Sequence, residues 1–173
     1  MPKLAEDFKR KSRNLLAGFV GLSGLAWALD TLLHWGKLDP TAWHFYVGIF
    51  LLLSAFAVAS VSGRQLTLYG RASENLPRGT TDQLVTRGIF AYVRHPMFSS
   101  FVAILFAIGL LFNSKGFTFV SAPLGSLYII WFAYFREEKE AEGKFGNAYR
   151  QYKSRVAAFF PYPRPFRQKK TKK

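Results

Sequence analysis

The sequence contains no cysteine. Disulfides, thiolate metal sites and a cysteine nucleophile are therefore excluded. Acidic residues are scarce: ten Asp and Glu stand against 24 Lys and Arg, a formal net charge of +14. The three histidines, His34, His44 and His95, include no pair at helical ligand spacing, so no metal site is expected. There is no glycine-rich phosphate loop, no G-x-S-x-G elbow and no repeat of solenoid length. What is present is apolar and aromatic. Half of the residues are hydrophobic and 17% are aromatic, 18 of them Phe, which excludes wholesale disorder. The length of 173 residues suggests one domain, over 1–161, followed by a basic tail over 162–173.

The apolar residues fall into four runs, about 15–33, 43–61, 97–112 and 117–135. A helix crossing the hydrocarbon core needs about 20 apolar residues, with about 17 as a lower limit. The first, second and fourth runs reach that length and the third is marginal. Four such runs in so short a chain predict an all-α integral membrane fold with four transmembrane helices. The basic residues then explain themselves. Five precede the first run, five lie between the second and third, and twelve follow the fourth, whereas the two short hairpins hold only Lys37 and Lys115. Cytoplasmic loops carry the Lys/Arg excess, so both termini are expected in the cytoplasm and nucleic acid is not needed as a partner. The membrane is the plasma membrane in a prokaryote and the endoplasmic reticulum in a eukaryote. The basic N-terminus, the first apolar run and Ala26-Trp27-Ala28 also have the form of a secretory signal. A retained first helix fits the even span count and the charge partition better.

The segment from Ser62 to Pro96 is long for a linker and keeps Leu66, Leu68, Leu84, Val85, Ile89, Phe90 and Val93, so a structured cytoplasmic loop is expected. Pro96 suits the first turn of the third helix, which puts Arg94 and His95 at its mouth, where free N–H groups favour an anion. After the fourth run, Glu138, Glu142, Phe145, Tyr149, Tyr152 and Val156 share one face of a predicted cytoplasmic helix, with Gly143 and Gly146 as points of weakness. Glu138 therefore points towards packed protein and Glu140 away from it. The Pro-rich, basic tail is expected to be disordered and drawn to anionic lipid head groups.

Thr86 to Pro96, leading into an apolar run, resembles the block G-x-Y-x-x-x-R-H-P-x-Y-x-G of the isoprenylcysteine carboxyl methyltransferase and phospholipid N-methyltransferase superfamily. Arg136-Glu137-Glu138, followed by Phe145-Gly146, Tyr149 and Tyr152, resembles its second block, E-E-x-x-L-x-x-x-F-G-x-x-Y-x-x-Y. Departures are Phe90 and Phe98 at tyrosine positions, Ser100 at a glycine position and Ala141 at a leucine position. The resemblance implies an integral-membrane methyltransferase that uses S-adenosylmethionine and a lipophilic acceptor entering from the bilayer. It implies a cofactor site on Gly88, Tyr92, Arg94, His95, Pro96, Phe98, Glu137, Glu138 and Tyr149, with Arg94 and Glu138 catalytic. The cofactor's carboxylate suits Arg94 and His95, its ammonium suits Glu137 or Glu138, and its adenine suits Tyr92, Phe98, Tyr149 and Tyr152. A carboxylate acceptor needs a cation, Arg87 or Arg94, and no base. An amine acceptor needs one, Glu138 or His95. Two other readings stand beside this one: a membrane reductase related to sterol reductases that uses NADPH, and a non-catalytic membrane protein of the same fold.

Overall fold

The computed structural model describes residues 2–33, 39–73, 81–161 and 165–166. Among them the structure is helical, and the extended pairing is a single parallel bridge between Val93 and Ala157. The helices are α1 (Pro2–Leu32), α2 (Trp43–Tyr69), α3 (Pro96–Leu111), α4 (Ala122–Phe132) and α5 (Glu138–Lys153), with a 3-10 turn at Gly88–Ala91. Two π turns, Phe117–Ser121 and Ala133–Glu137, flank α4 and join it to α5 in one helical run, Phe117–Lys153.

Each of the four apolar runs forms helix. Two helical runs, Trp43–Tyr69 and Phe117–Lys153, are long and apolar enough to cross a membrane; the apolar helices Leu16–Leu32 and Pro96–Leu111 are shorter. The elements outrun the apolar segments that seed them. Helix α2 continues past Val61 to Tyr69 through Arg64, Gln65 and Thr67, because helix propagation needs only one more hydrogen bond per residue and tolerates polar residues.

Many large apolar side chains face outward, although Leu105, Phe117, Ile129 and Phe132 are buried. Ala26, Ala55, Ala107, Ala122 and Ala133 are buried, whereas Trp27 is 73% and Phe119 74% exposed, with Phe50 and Leu53 also outward. Small residues inside and large apolar residues outside is the pattern of helices associating within lipid, where hydrocarbon already solvates a Phe or Leu and close backbone approach drives packing.

The chain divides into two compact units. The first comprises residues 1–54 and 102–129. Its polar tie is Asp30 on α1, whose carboxylate accepts from the Ser114 hydroxyl and, at 3.0 Å, from the Gly116 N–H. Ser114 in turn accepts from Phe117 N–H at 3.0 Å, so orphan donors at the start of the last helical run are satisfied. Ser121 donates to Leu22 O at 2.9 Å, and His44 Nδ1 lies 3.0 Å from Leu110 O.

The second unit comprises residues 55–101 and 130–173. Its core is Tyr149, Tyr152 and Val156, with Leu84, Ala141, Phe145 and Phe166 packed on it. The loop after α2 is structured where described. Asp82 accepts from the N–H groups of Ala72 and Ser73 at 2.6 and 3.0 Å, and its own N–H donates to Gly70 O at 2.8 Å. These bonds, led by that from Ala72, hold the Asp82 carboxyl below its ordinary value. Residues 74–80 of the same loop lie outside the described residues.

Candidate functional site

The site is built in the second unit on two segments that lie side by side. Segment 88–95 begins at Gly88, whose φ is +62°, a conformation that L side chains rarely adopt. A Cβ there would also stand 2.3 Å from Gln65 Oε1, the oxygen that accepts from Ile89 N–H at 3.0 Å. Only glycine allows that approach. After the 3-10 turn, Arg94 N–H and His95 N–H donate to Ala157 O and Ala158 O, each at 2.9 Å. Pro96 is fully buried and opens α3, where its missing N–H costs nothing.

The second segment is α5, which follows the π turn Ala133–Glu137 and is broken at Gly146 (φ 53°, ψ −128°). Gly146 is one of the two weak points expected from the sequence, and the kink falls there rather than at Gly143. The face predicted from Glu138 to Val156 is carried by two helical pieces and the turn after Lys153. Tyr149, Tyr152 and Val156 are nevertheless all buried.

Glu138 is the centre of the site. Its side chain is 1% exposed, while Glu140 lies on the surface. Arg94 Nη2 and His95 Nε2 approach Glu138 Oε1 at 2.9 and 3.3 Å, and Lys153 Nζ approaches Oε2 at 2.8 Å. Lys153 Nζ also meets Glu142 Oε1 at 3.0 Å, and the Lys153 carbonyl accepts from Arg94 Nη1 at 3.0 Å. Burial is the largest single influence on the Glu138 carboxyl and pushes it up. The hydrogen bonds from His95 and Lys153 and the charges of Arg94 and Lys153 together outweigh burial and hold it below its ordinary value. The hydrogen bonds of Lys153 to Glu138, first, and to Glu142 raise the Lys153 ammonium.

Aromatic side chains pack against the His95 edge of this cluster. The His95 ring lies between Phe98 and Phe159, with centroids 5.7 Å away on both sides, and Phe98 packs against Phe132. Tyr152 donates its hydroxyl to Phe90 O at 2.5 Å, and Tyr149 meets the Tyr152 ring edge-on. Burial raises both phenols above their ordinary value, so they remain neutral donors.

A hollow of about 450 Å³ lies against the 3-10 turn, lined by Thr86, Arg87, Gly88, Ala91, Tyr92, Pro165 and Phe166. The sequence-based site residues thus divide into groups. Arg94, His95 and Glu138 come together, flanked by Phe98; Gly88 and Tyr92 line the hollow; Tyr149 belongs to the aromatic core; and Glu137 is half-buried beside Glu138 in sequence. The hollow's lining includes none of Arg94, His95 and Glu138. The anion that meets Arg94 and His95 here is the chain's own Glu138.

Sequence reasoning missed two residues. Lys153 had no motif to mark it. Phe166 fell in the tail expected to be disordered, yet its N–H donates to Ala91 O at 2.9 Å and its ring packs edge-on against Tyr152 at 5.4 Å. The signal was there to read: Phe166 is the one phenylalanine in a run of proline and positive charge. Residues 162–164 and 167–173, the rest of that tail, lie outside the described residues.

No curated protein matches the chain. The profile of the family described as Phospholipid methyltransferase matches residues 43–148. That span covers more than half of the chain and contains Arg94, His95 and Glu138: the chain belongs to the phospholipid methyltransferase family, a family of membrane methyltransferases.

Proposed function

We propose that the protein transfers a methyl group from S-adenosylmethionine to a lipophilic acceptor, a phospholipid amine or an isoprenylcysteine-type carboxylate. The observation that carries this reading is the cluster of Arg94, His95 and Lys153 around buried Glu138, in the unit that also holds a hollow lined by Gly88 and Tyr92. The residues present fit the cofactor. Arg94 is 7% exposed and its Nε is a buried donor that meets no acceptor among the described residues. A buried donor without an acceptor is costly, and a ligand carboxylate would satisfy it. Arg94 would hold the cofactor's carboxylate, Glu138 its ammonium, and Gly88 and Tyr92 its nucleoside end.

When bound, S-adenosylmethionine supplies a sulfonium methyl that the acceptor's lone pair displaces in one step. The chain's own part is alignment and exclusion of water. Phe98, Phe132 and Phe159 form the apolar surround of His95. For an amine acceptor a proton must leave. Glu138 is poorly suited to take it, because a carboxyl held below its ordinary value is a weaker base. His95 takes the proton instead, with Glu138 orienting the ring through Nε2. For a carboxylate acceptor no base is needed, and Arg87, exposed on the hollow, is the holding cation.

Four spans with both termini in the cytoplasm follow from the basic partition, with the hollow and cluster opening to the cytosol and the basic tail against anionic head groups. Equilibrium titration of the purified protein with S-adenosylmethionine and with NADPH tests the reading. Binding of the first alone supports it. Binding of NADPH alone turns the reading to a reductase, and binding of neither to a non-catalytic protein. Product analysis with a labelled methyl donor and candidate lipids then identifies the acceptor.

A further inference from the structure

Phe166 stands out because nothing in the sequence motifs involves it, yet it touches the same turn that carries Gly88 and Tyr92. The Phe90–Ala91 peptide region is held from two sides: Tyr152 donates to Phe90 O and Phe166 N–H donates to Ala91 O. The Phe166 ring packs edge-on against Tyr152, which anchors it to the buried core, and Pro165 and Phe166 together form part of the hollow's lining. The hollow thus combines two aromatic residues, Tyr92 and Phe166, with the polar residues Arg87 and Thr86, the Arg87 guanidinium lying 5.1 Å over the Tyr69 ring. Flat apolar faces with polar groups at the edge suit a planar heteroaromatic ring.

We infer that Phe166 is a ligand-binding residue that completes the hollow's wall, so that docking of the C-terminal segment and occupancy of the hollow by the nucleoside end of the methyl donor are coupled. The inference rests on the cofactor reading above. Linkage makes the coupling reciprocal: if the docked ring strengthens binding, bound ligand must hold the ring in place by the same factor.

The test uses the full chain in lipid nanodiscs and S-adenosylhomocysteine, which binds without turnover. Phe166→Ala should weaken binding roughly tenfold, about the worth of one aromatic contact. Phe166→Trp should restore most of it, and a chain ending at Phe166 should bind as the full chain does, since the ring and its N–H remain. A second measurement needs no variant: chymotryptic cleavage after Phe166 in the unmodified protein should slow when S-adenosylhomocysteine is added. Unchanged affinity in Phe166→Ala, or a cleavage rate indifferent to ligand, overturns the coupling while leaving the cofactor reading intact. Failure of the unmodified protein to bind S-adenosylhomocysteine overturns both.

Discussion

At the scale of the residue, Glu138 is a carboxylate with 1% of its side chain exposed, a costly group to bury. Such a charge persists only when paired, and removing one partner of a buried pair costs about 3–5 kcal/mol. Glu138→Gln leaves Arg94 and Lys153 without that counter-charge, so thermal stability should fall by that order. At matched folded protein, methyl transfer should fall a hundredfold or more, since each 1.36 kcal/mol is about tenfold. Glu140→Gln, on the surface, should stay within about 0.5 kcal/mol of the parent. Equal losses in the two variants would mean that the acidic cluster acts only as bulk charge. The pH dependence has a definite sign. Glu138 titrates below its ordinary value of 4.5 in the folded state, so in that window the unfolded chain binds more protons. Its stabilisation is present in full above that ordinary value and is lost as pH falls through the depressed one. Lys153 is one of the groups that depress it. Lys153→Met should therefore move the acid limb of unfolding to higher pH, and Lys153→Arg should leave it nearly in place. An acid limb unmoved by Lys153→Met would remove Lys153 from the site.

At the scale of the element, the break at Gly146 makes the site possible. Glu138 and Lys153 are fifteen residues apart, about 22 Å along an unbroken helix at 1.5 Å per residue. In the structure they are 2.8 Å apart, because the chain turns back at Gly146. The combination of φ 53° and ψ −128° is open to glycine and strained for any other residue, although a Cβ there would meet no atom within 4 Å. Gly146→Ala should thus cost about 1–3 kcal/mol through backbone strain alone. It should also shift the acid limb as Lys153→Met does, because it pulls the ammonium from the carboxylate. Gly143→Ala is the control: that residue has helical backbone and open space, and alanine there should stabilise by up to about 1 kcal/mol. The same break marks the limit of what periodicity could reveal. The 4-3-4 spacing correctly separated buried Glu138 from exposed Glu140, since both precede the break. Arg94 and His95 were legible because Pro96 starts a helix and fixes the residues before it. Lys153 was not legible, because on an unbroken helix it would lie about 22 Å from Glu138, and only the break at Gly146 brings the two together. The extension of α2 to Tyr69 was missed for a different reason: Arg64 and Thr67 end the apolar run without ending the helix.

At the scale of the whole molecule, the sequence pattern and the packing make separate arguments for a membrane. The pattern is the concentration of Lys and Arg in three of the five segments outside the apolar runs, with only Lys37 and Lys115 in the other two. The packing is the outward exposure of Trp27, Phe50 and Phe119 while alanines such as Ala107 and Ala122 are buried, which no count of hydrophobic residues could foretell. Which residues face lipid depends on helix rotation, and α2 is apolar around most of its circumference, so its sequence left rotation open. Orientation, in contrast, rests on charge alone and can be tested directly. The chain's lack of cysteine makes it a clean background for single introduced thiols. Thr41→Cys and Lys115→Cys lie in the two short hairpins, whereas Ala72→Cys and Arg150→Cys lie in basic segments; all four positions are exposed. In sealed cells an impermeant maleimide should label the first pair and spare the second until the membrane is opened. Labelling of Thr41→Cys but not Lys115→Cys would mean that Pro96–Leu111, at 16 residues, enters the bilayer without crossing it in step with its neighbours. Labelling of Arg150→Cys in sealed cells would put the Glu138 cluster on the outer face. It would also end the assignment of a cytosolic methyl donor to that site.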